Sequence, residues 1–217
     1  IKNNTNFTVS GYMSADCSGI YMDCDKQDSN NYAISMGEIV VYNHSTLTAT
    51  KCYHNGITAN PANITVTESS VIDVSNNNPK SGAGKGGLGS YYGKLTVSKG
   101  SAVKAHNNNA KQFAIYVHGF DVDGSSEIEA VDNGILGGGY GIATDGSSIL
   151  QSGAKLTATG NCGPGVAVCF DYHFYSDPEL VVEDGATINS YHNYNYGLIN
   201  DLSLIHISEP TRPEPIS

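Results

Sequence analysis

The chain has 217 residues and carries 11 basic against 21 acidic side chains, which gives a formal net charge of −10. This charge argues against a nucleic-acid partner, because a phosphate backbone requires clustered Lys and Arg. No run of 18 apolar residues occurs, so the sequence predicts no membrane span. Abundant Asn, Ser, Thr, Gly and Tyr at low charge density favour an extracellular or cell-surface protein.

A repeating unit runs along most of the chain. Residues 94–108 (KLTVSKGSAVKAHNN) and 179–193 (ELVVEDGATINSYHN) share one order: an alternating apolar pair, a glycine turn, a second pair and Asn. Seven apolar anchors mark successive units, 25–32 residues apart: Val9, Val41, Val66, Val97, Val122, Leu150 and Val182. Six positions after the anchors stand Ala15, Leu47, Ile72, Val103, Ile128, Leu156 and Ile188. A unit that recurs in this way predicts stacked coils rather than one globular core.

Each unit predicts three short strands. Apolar and polar residues alternate with period two, and no window carries the apolar stripe of a helix. The third strand is predicted from short apolar stretches at Gly19–Met22, Gly56–Ala59, Phe113–Val117, Gly141–Thr144, Gly165–Val168 and Gly197–Ile199. The predicted fold is therefore all-β, a single-stranded parallel β-solenoid of about seven coils, in which equivalent residues stack into a common core.

This pattern resembles the right-handed parallel β-helix of pectate-lyase-like proteins and of bacterial surface proteins built on it. The resemblance covers about residues 6–200 and rests on architecture, not on a signature motif. The units vary in length, whereas left-handed hexapeptide coils are nearly constant, so the right-handed form is favoured. An immunoglobulin-like sandwich also has short strands and frequent turns, but it would not align its apolar positions in every unit.

The end of the chain departs from the repeat. Residues 202–212 read LSLIHISEPTR, which matches the translation of a common transposon-based sequencing adapter. We therefore expect residues 1–201 to be a solenoid fragment that lacks both caps, and residues 202–217 to be a non-native tail. Such a fusion indicates a metagenomic source, and the resemblance to bacterial surface proteins implies a bacterial one.

An Asn recurs after the second strand of several units, at Asn77, Asn108, Asn161 and Asn193. Stacked Asn side chains can form a hydrogen-bonded ladder, and Asn tolerates the left-handed conformation that a sharp corner needs. These residues are expected to be structural.

Five cysteines leave the redox compartment open. Two pairs are candidates for disulfides: Cys17 with Cys52 in adjacent coils, and Cys162 with Cys169 around the turn 163–165. The alternative, which we favour, is that they are buried as small apolar residues. No C-x2-C pair occurs, which disfavours a zinc site.

Two local motifs resemble ligand-binding loops but lack residues that such loops require. Ser81–Gly87 looks like a phosphate loop, but Pro79 stands at the first glycine position and Gly86 at the Ser/Thr position. Asp121–Glu127 alternates oxygen ligands as calcium loops do, but it lacks the length and the final Glu of an EF-hand. Since Val122 is an anchor, Asp121 and Asp123 are expected to face outward from a strand. The sequence thus predicts no metal and no cofactor.

The sequence does not decide whether the protein is an enzyme, but it favours a non-catalytic function. Acidic candidates are Asp121, Asp123, Asp145, Asp171, Asp177, Glu179 and Asp184. Polysaccharide lyases place a base beside cationic groups, and among these carboxylates Lys155 is the single basic residue. Asp171 and His173 suggest acid–base chemistry, but a His among tyrosines in a long turn is usually a surface residue.

The aromatic residues near the end of the chain are the candidate ligand-binding residues: Tyr172, Tyr175, Tyr191, Tyr194 and Tyr196. Their rings can stack on sugar faces while the hydroxyl groups form hydrogen bonds; alternatively they fill corners and shield the core. We expect a non-catalytic secreted or cell-surface β-helix protein whose partner is a glycan or another host-surface ligand. The alternatives are a carbohydrate-active enzyme (polysaccharide lyase or glycoside hydrolase) and a phage tail-spike domain.

Overall fold

The computed structural model describes residues 6–10, 20–23, 38–51, 55–60, 62–77, 86–109, 111–134, 138–168 and 179–200. Within these ranges the chain consists of β-strands and turns and contains no helix. A helix with the length and apolarity that a membrane crossing requires is accordingly not found in this part of the chain.

The described residues form eighteen strands. In chain order they are β1 (Asn6–Ser10), β2 (Ile20–Asp23), β3 (Ile39–Val41), β4 (Thr46–Thr50), β5 (Asn55–Asn60), β6 (Ile64–Val66), β7 (Val71–Asp73), β8 (Gly86–Val97), β9 (Ala102–His106), β10 (Phe113–Val122), β11 (Glu127–Val131), β12 (Tyr140–Thr144), β13 (Ser148–Leu150), β14 (Lys155–Thr159), β15 (Val166–Val168), β16 (Leu180–Val182), β17 (Thr187–Tyr191) and β18 (Leu198–Asn200).

The strands stack in parallel, each on the equivalent strand of the next coil. One sheet has seven strands in the order β1-β4-β7-β9-β11-β14-β17. The other runs β18-β15-β12-β10-β8-β5-β2, and β3, β6, β13 and β16 pair within it. The fold is an all-β parallel β-solenoid, with about four turns in the interpretable part. This confirms the prediction of an all-β parallel β-solenoid without helical segments in the described ranges.

The predicted anchors from the second unit onward form one row. Successive members are direct strand partners, in the order Val41, Val66, Val97, Val122, Leu150 and Val182. The first five have no exposed surface, and Val182 in the last described coil is partly buried against the same core. Repeated burial of one position in each coil is what holds a solenoid together, since each coil contacts only its neighbours.

The anchor predicted for the first unit is wrong. In β1, Phe7 pairs with Leu47 and Val9 with Ala49, so Val9 belongs to the second strand of its coil. Ala15 and Cys17, which were placed six and eight positions after it, lie outside the described residues. The alternation of Phe7 and Val9 is compatible with the first or the second strand of a coil. A period of two predicts which residues face the core, but it does not predict which strand of the coil they belong to. The third strand predicted at Gly19–Met22 is confirmed, with Ile20 beside Ile57.

The second predicted row is confirmed from the second unit onward. Its members pair in the order Leu47, Ile72, Val103, Ile128, Leu156 and Ile188. All are buried except Ile188, which is partly buried in the last described coil. Two positions on, small side chains fill the narrower corner, and Ala105, Ala130 and Ala158 are fully buried there.

One strand was missed by the sequence pattern. The third strand of its coil is the first part of β8, in which Leu88 pairs with Ile57 on one side and Ile115 on the other. The glycine-rich composition of this segment hid the alternation. The third strand of the preceding coil, β5, also contains a glycine, Gly56. A side chain does not fit there, because a Cβ on Gly56 would lie 2.7 Å from Asn77 Nδ2.

The asparagine ladder is confirmed and has one more member than predicted. The buried amides run through Asn77, Asn108, Asn133 and Asn161, and the chain of bonds ends at the partly exposed Asn193. The positive φ angles fall one residue earlier, at Lys51, Asn76, Asn107, Asp132, Gly160 and His192. The left-handed residue of each corner therefore precedes the ladder asparagine and is not the asparagine itself.

A second ladder, of serines, was not predicted. The N–H groups of Ser45, Ser70 and Ser101 each donate to the hydroxyl of the serine one coil further on, at 3.1 Å, 3.1 Å and 3.2 Å. The last acceptor is Ser126, and all four serines are buried. The two ladders tie both ends of the second strand to the neighbouring coils, so the coil corners are held rigidly in place.

Candidate functional site

Three of the predicted ligand-binding tyrosines lie together in the last described coil. Tyr191 ends β17 on the outer face of the seven-stranded sheet, and Tyr194 and Tyr196 lie in the turn that follows. Their exposed fractions are 55%, 57% and 60%. A single exposed aromatic side chain is common on protein surfaces, but three of them within six residues of one coil are less usual, so this group is a candidate interaction surface.

The other two predicted residues, Tyr172 and Tyr175, lie outside the described residues, as does His173. They belong to the segment between β15 and β16. Their part in the site stays a prediction.

An open cleft of about 280 Å³ borders one of the three tyrosines, Tyr194. Its lining comes from the corner turns of the last two described coils: Gly160, Asn161, Cys162, His192, Asn193 and Tyr194. The Tyr191 and His192 rings meet edge to face, with centroids 5.1 Å apart. The cleft therefore combines aromatic rings with polar groups, as ligand sites do.

The backbone around this cleft is fixed by the preceding coil. The Tyr194 N–H donates to the Asn161 carbonyl at 2.9 Å, and the Asn161 N–H donates to Asn193 Oδ1 at 3.0 Å. Asn193 Nδ2 donates in turn to the Ala158 carbonyl at 2.7 Å. The ladder amides are thus occupied by structural bonds, and the tyrosine hydroxyls and His192 are the side-chain groups left to meet a ligand. Cys162, beside them, is a free, half-buried thiol.

A second polar arrangement lies on another face of the solenoid and was missed by sequence reasoning. His118 Nδ1 lies 2.8 Å from Asp145 Oδ1, and the Tyr116 hydroxyl donates to Asp145 Oδ2 at 3.1 Å. The Asp145 side chain is 2% exposed and that of His118 is 40% exposed. Both carboxylate oxygens are engaged, so Asp145 acts by orienting His118. The three residues are up to 29 positions apart in sequence, and only the stacking of β10 on β12 brings them together.

The His118 ring is closely packed on one side. A Cβ on Gly146 would lie 2.8 Å from both Cε1 and Nε2 of the imidazole. On the neighbouring coil, Lys94 forms an ion pair with Asp121, with Nζ and Oδ2 3.8 Å apart. One sequence signal could have placed His118 near Asp145. These residues directly follow Val117 and Thr144, which end two predicted third strands and lie side by side in the structure.

The turn that resembles a calcium loop has its oxygen atoms engaged within the protein. Asp123 Oδ2 accepts from the Lys99 N–H at 2.6 Å, and Oδ1 accepts from the Ser126 hydroxyl at 2.6 Å. Burial raises the pKa of the Asp123 carboxyl, but these bonds and those from Ser125 outweigh it and hold the pKa below 3.8. The predicted outward orientation of Asp121 and Asp123 on either side of the buried Val122 is confirmed.

Comparison with protein-family models, with curated proteins and with solved structures gave no match to this chain.

Proposed function

We propose that this protein is a non-catalytic, secreted or cell-surface β-solenoid that contacts carbohydrate through the tyrosine surface formed by Tyr191, Tyr194 and Tyr196. The observation that carries the proposal is the exposure of these three side chains, of which Tyr194 also lines an open cleft. The rings offer flat apolar faces to the C–H faces of sugars, and their hydroxyl groups offer hydrogen bonds to sugar hydroxyls.

A rigid scaffold supports this reading. Binding costs less when the contacting groups are already ordered, and the turn that carries Tyr194 is bonded to the preceding coil through Asn161. The ladder beneath the turn continues through at least three further coils. The tyrosines are thus presented by a fixed backbone rather than by a loose loop.

We also infer that the solenoid is right-handed, with seven coils, as in the pectate-lyase-like β-helices that the sequence resembles. Parallel strands joined by crossovers are right-handed in about 98% of known cases. The seven-stranded sheet supports the coil number. A bacterial adhesin would use the length of such a rod to present its binding face.

The alternative of a carbohydrate-active enzyme draws on His118 and Asp145, since general bases are oriented in this manner. Glycoside hydrolysis, however, needs two carboxyl groups that flank the glycosidic bond. Asp145 is buried and hydrogen-bonded through both oxygens, so it cannot reach a substrate. A phage tail-spike domain is the remaining alternative, and a trimer in analytical ultracentrifugation would favour it.

The proposal is tested by co-sedimentation with insoluble polysaccharides, namely amorphous cellulose, xylan, chitin and mannan. Weak retention on at least one of them is expected. Tyr191→Ala and Tyr194→Ala should each reduce the bound fraction several-fold. Thr187→Ala, a change at an exposed residue of the same strand, is the matched control and should bind as the parent does. Equal retention of all three variants would contradict the proposal.

A further inference from the structure

We propose that Gly160 and Asp132 make the cleft beside Tyr194 a sugar subsite that selects against acidic glycans. Gly160 keeps the cleft open, and the Asp132 carboxylate accepts hydrogen bonds from the hydroxyl or amino groups of a pyranose that carries no negative charge. The inference deepens the proposed function and rests on it for the class of ligand, because the cleft borders the tyrosine surface.

The cleft lies at an interruption of the corner column, the row of left-handed residues that follow the second strand of each coil. These residues are stacked in register, because the strand residues before them are direct partners, Val131 with Thr159 and Thr159 with Tyr191. In chain order the column contains Lys51, Asn76, Asn107, Asp132, Gly160 and His192. Gly160 is the member of this row that has no side chain.

The backbone conformation does not explain this glycine. Gly160 has a φ of 67°, and its neighbours in the column, Asp132 and His192, have φ angles of 53° and 55°. Asp, Asn and His are the residues other than glycine that adopt this region most readily, and the solenoid uses all three of them at its other corners. The missing side chain therefore has a separate consequence, which is a gap in the column where Gly160 lines the cleft.

The Asp132 carboxylate reaches into this gap. A Cβ on Gly160 would collide with Asp132 Oδ1, so this oxygen lies where the side chain of residue 160 would begin. Asp132 is exposed, and within the part of the chain that the structure describes its carboxylate forms no hydrogen bond and no ion pair. The carboxylates of Asp123 and Asp145, in contrast, are engaged through both oxygens. Asp132 is therefore an acceptor that a ligand in the cleft can reach.

An acceptor of this kind decides which sugars fit. An ionised carboxylate only accepts hydrogen bonds, and bonds to it from hydroxyl or ammonium groups are strengthened by its charge. Tyr194 lines the same cleft, is 57% exposed and offers its ring to the C–H face of the sugar. A uronate or a sulfated sugar would bring a second negative charge close to Asp132, which is repulsive. The subsite thus favours neutral or amino sugars.

The test is NMR of the histidine side chains in the full chain, because His192 lines the cleft and reports its occupancy. The His192 signal is assigned by its loss in His192→Gln. Cellohexaose, xylohexaose and mannohexaose are the neutral probes, a glucosamine hexamer is the cationic probe and hexagalacturonate is the acidic one. At least one neutral or cationic probe should shift the His192 signal, and the two sets show whether hydroxyl or amino groups are preferred. Hexagalacturonate should cause no shift.

Two variants of Asp132 separate its charge from its shape. Asp132→Ala should weaken the binding seen at the His192 signal about tenfold, because a charge-assisted hydrogen bond is lost. Asp132→Asn keeps the shape and removes the charge, so it should allow hexagalacturonate to shift the signal.

Gly160→Asn tests the gap itself. It introduces the residue that the column has at Asn76 and Asn107, fills the cleft and should abolish the shift. Asn76→Gly, the reverse exchange at a corner two coils from Asp132, is the matched control and should bind as the parent does. The urea midpoint shows whether Gly160→Asn is folded; if it is not, the two Asp132 variants decide.

Four results would overturn the subsite: no shift with any neutral or cationic probe, an equal shift with hexagalacturonate, binding unchanged by Asp132→Ala, or binding unchanged by folded Gly160→Asn. Failure of the proposed function shows elsewhere, as unchanged retention of Tyr191→Ala and Tyr194→Ala on insoluble polysaccharide. The two failures are therefore distinguishable.

Discussion

Asn133 Nδ2 donates to Asn161 Oδ1 at 3.0 Å, across 28 residues of sequence and one coil of the solenoid. The same Nδ2 also donates to the Ala105 carbonyl at 2.7 Å, and Asn133 Oδ1 accepts from both the N–H and the side chain of Asn108 at 2.9 Å. One buried amide thus bonds to the coils on both sides. A polar group at such a position is stabilising only as long as every bond is made.

Replacement of Asn133 should be costly. Asn133→Ala removes the acceptor for two donors of Asn108 and the donor for Ala105, all of them buried, so we expect a loss of about 3 kcal/mol in the free energy of unfolding. Urea denaturation measures it. Asn189→Ala, at an exposed position of β17, is the control and should change stability by less than about 0.5 kcal/mol. Similar stabilities for the two variants would refute the structural role of the ladder.

The serine ladder should be less sensitive. Ser101→Ala removes one acceptor, that of the Ser70 N–H, and the small side chain still fits, because the buried Ala154 fills the corresponding position next to Lys155. A loss of about 1 kcal/mol is expected by urea denaturation. Ser101→Val, which adds volume at a closed corner, should cost more. A serine-to-alanine change with no measurable effect would contradict a stabilising role of this bond.

Stability should fall in acid in a way that depends on Asp123. The folded-state pKa of this carboxyl lies below its ordinary value, so its contribution is present above about pH 4 and is lost as the pH falls through the folded-state value. We expect Asp123→Asn to be less stable than the parent at pH 7 and to lose less stability between pH 5 and pH 2.5. The measurement is the urea midpoint as a function of pH. Parallel curves for parent and variant would contradict the assignment.

Removal of residues 202–217 should leave the fold unchanged. The adapter origin predicted from the sequence implies that this tail was not selected to bury apolar surface, so truncation after Asp201 is expected to alter the free energy of unfolding by less than about 0.5 kcal/mol. Denaturation of the two forms side by side tests this. A large loss on truncation would identify the tail as a genuine cap of the solenoid.

The part of the fold that could be predicted from sequence is the part that repeats. Val97 and Val122 lie in one row because burial imposes the same residue type at the same point of each coil, and Asn133 follows Val122 by the same interval that separates Asn108 from Val97, so its ladder position was open to prediction. Val9 was misplaced because its apolar alternation fits two strands equally well.

The candidate sites were less predictable, because they depend on residues that do not repeat. The exposure of Tyr194 agrees with the sequence-based choice, whereas His118 and Asp145 carry no local motif. Their contact arises from the stacking register of β10 on β12. The bulge at Tyr92 shifts a different register, that of β8 against β10, by two residues. Neither feature can be read from composition or spacing alone.

The most direct test of the account is a single incubation in which binding and turnover are measured together. The protein is mixed with insoluble xylan, cellulose, chitin or mannan and with pectin, and the bound fraction, the reducing ends and the unsaturated uronate are determined. We predict retention that falls with Tyr191→Ala and Tyr194→Ala, with no sugar released from any substrate. Release of reducing ends or unsaturated uronate that disappears in Asp184→Asn or Asp171→Asn would contradict the binding function and establish an enzyme.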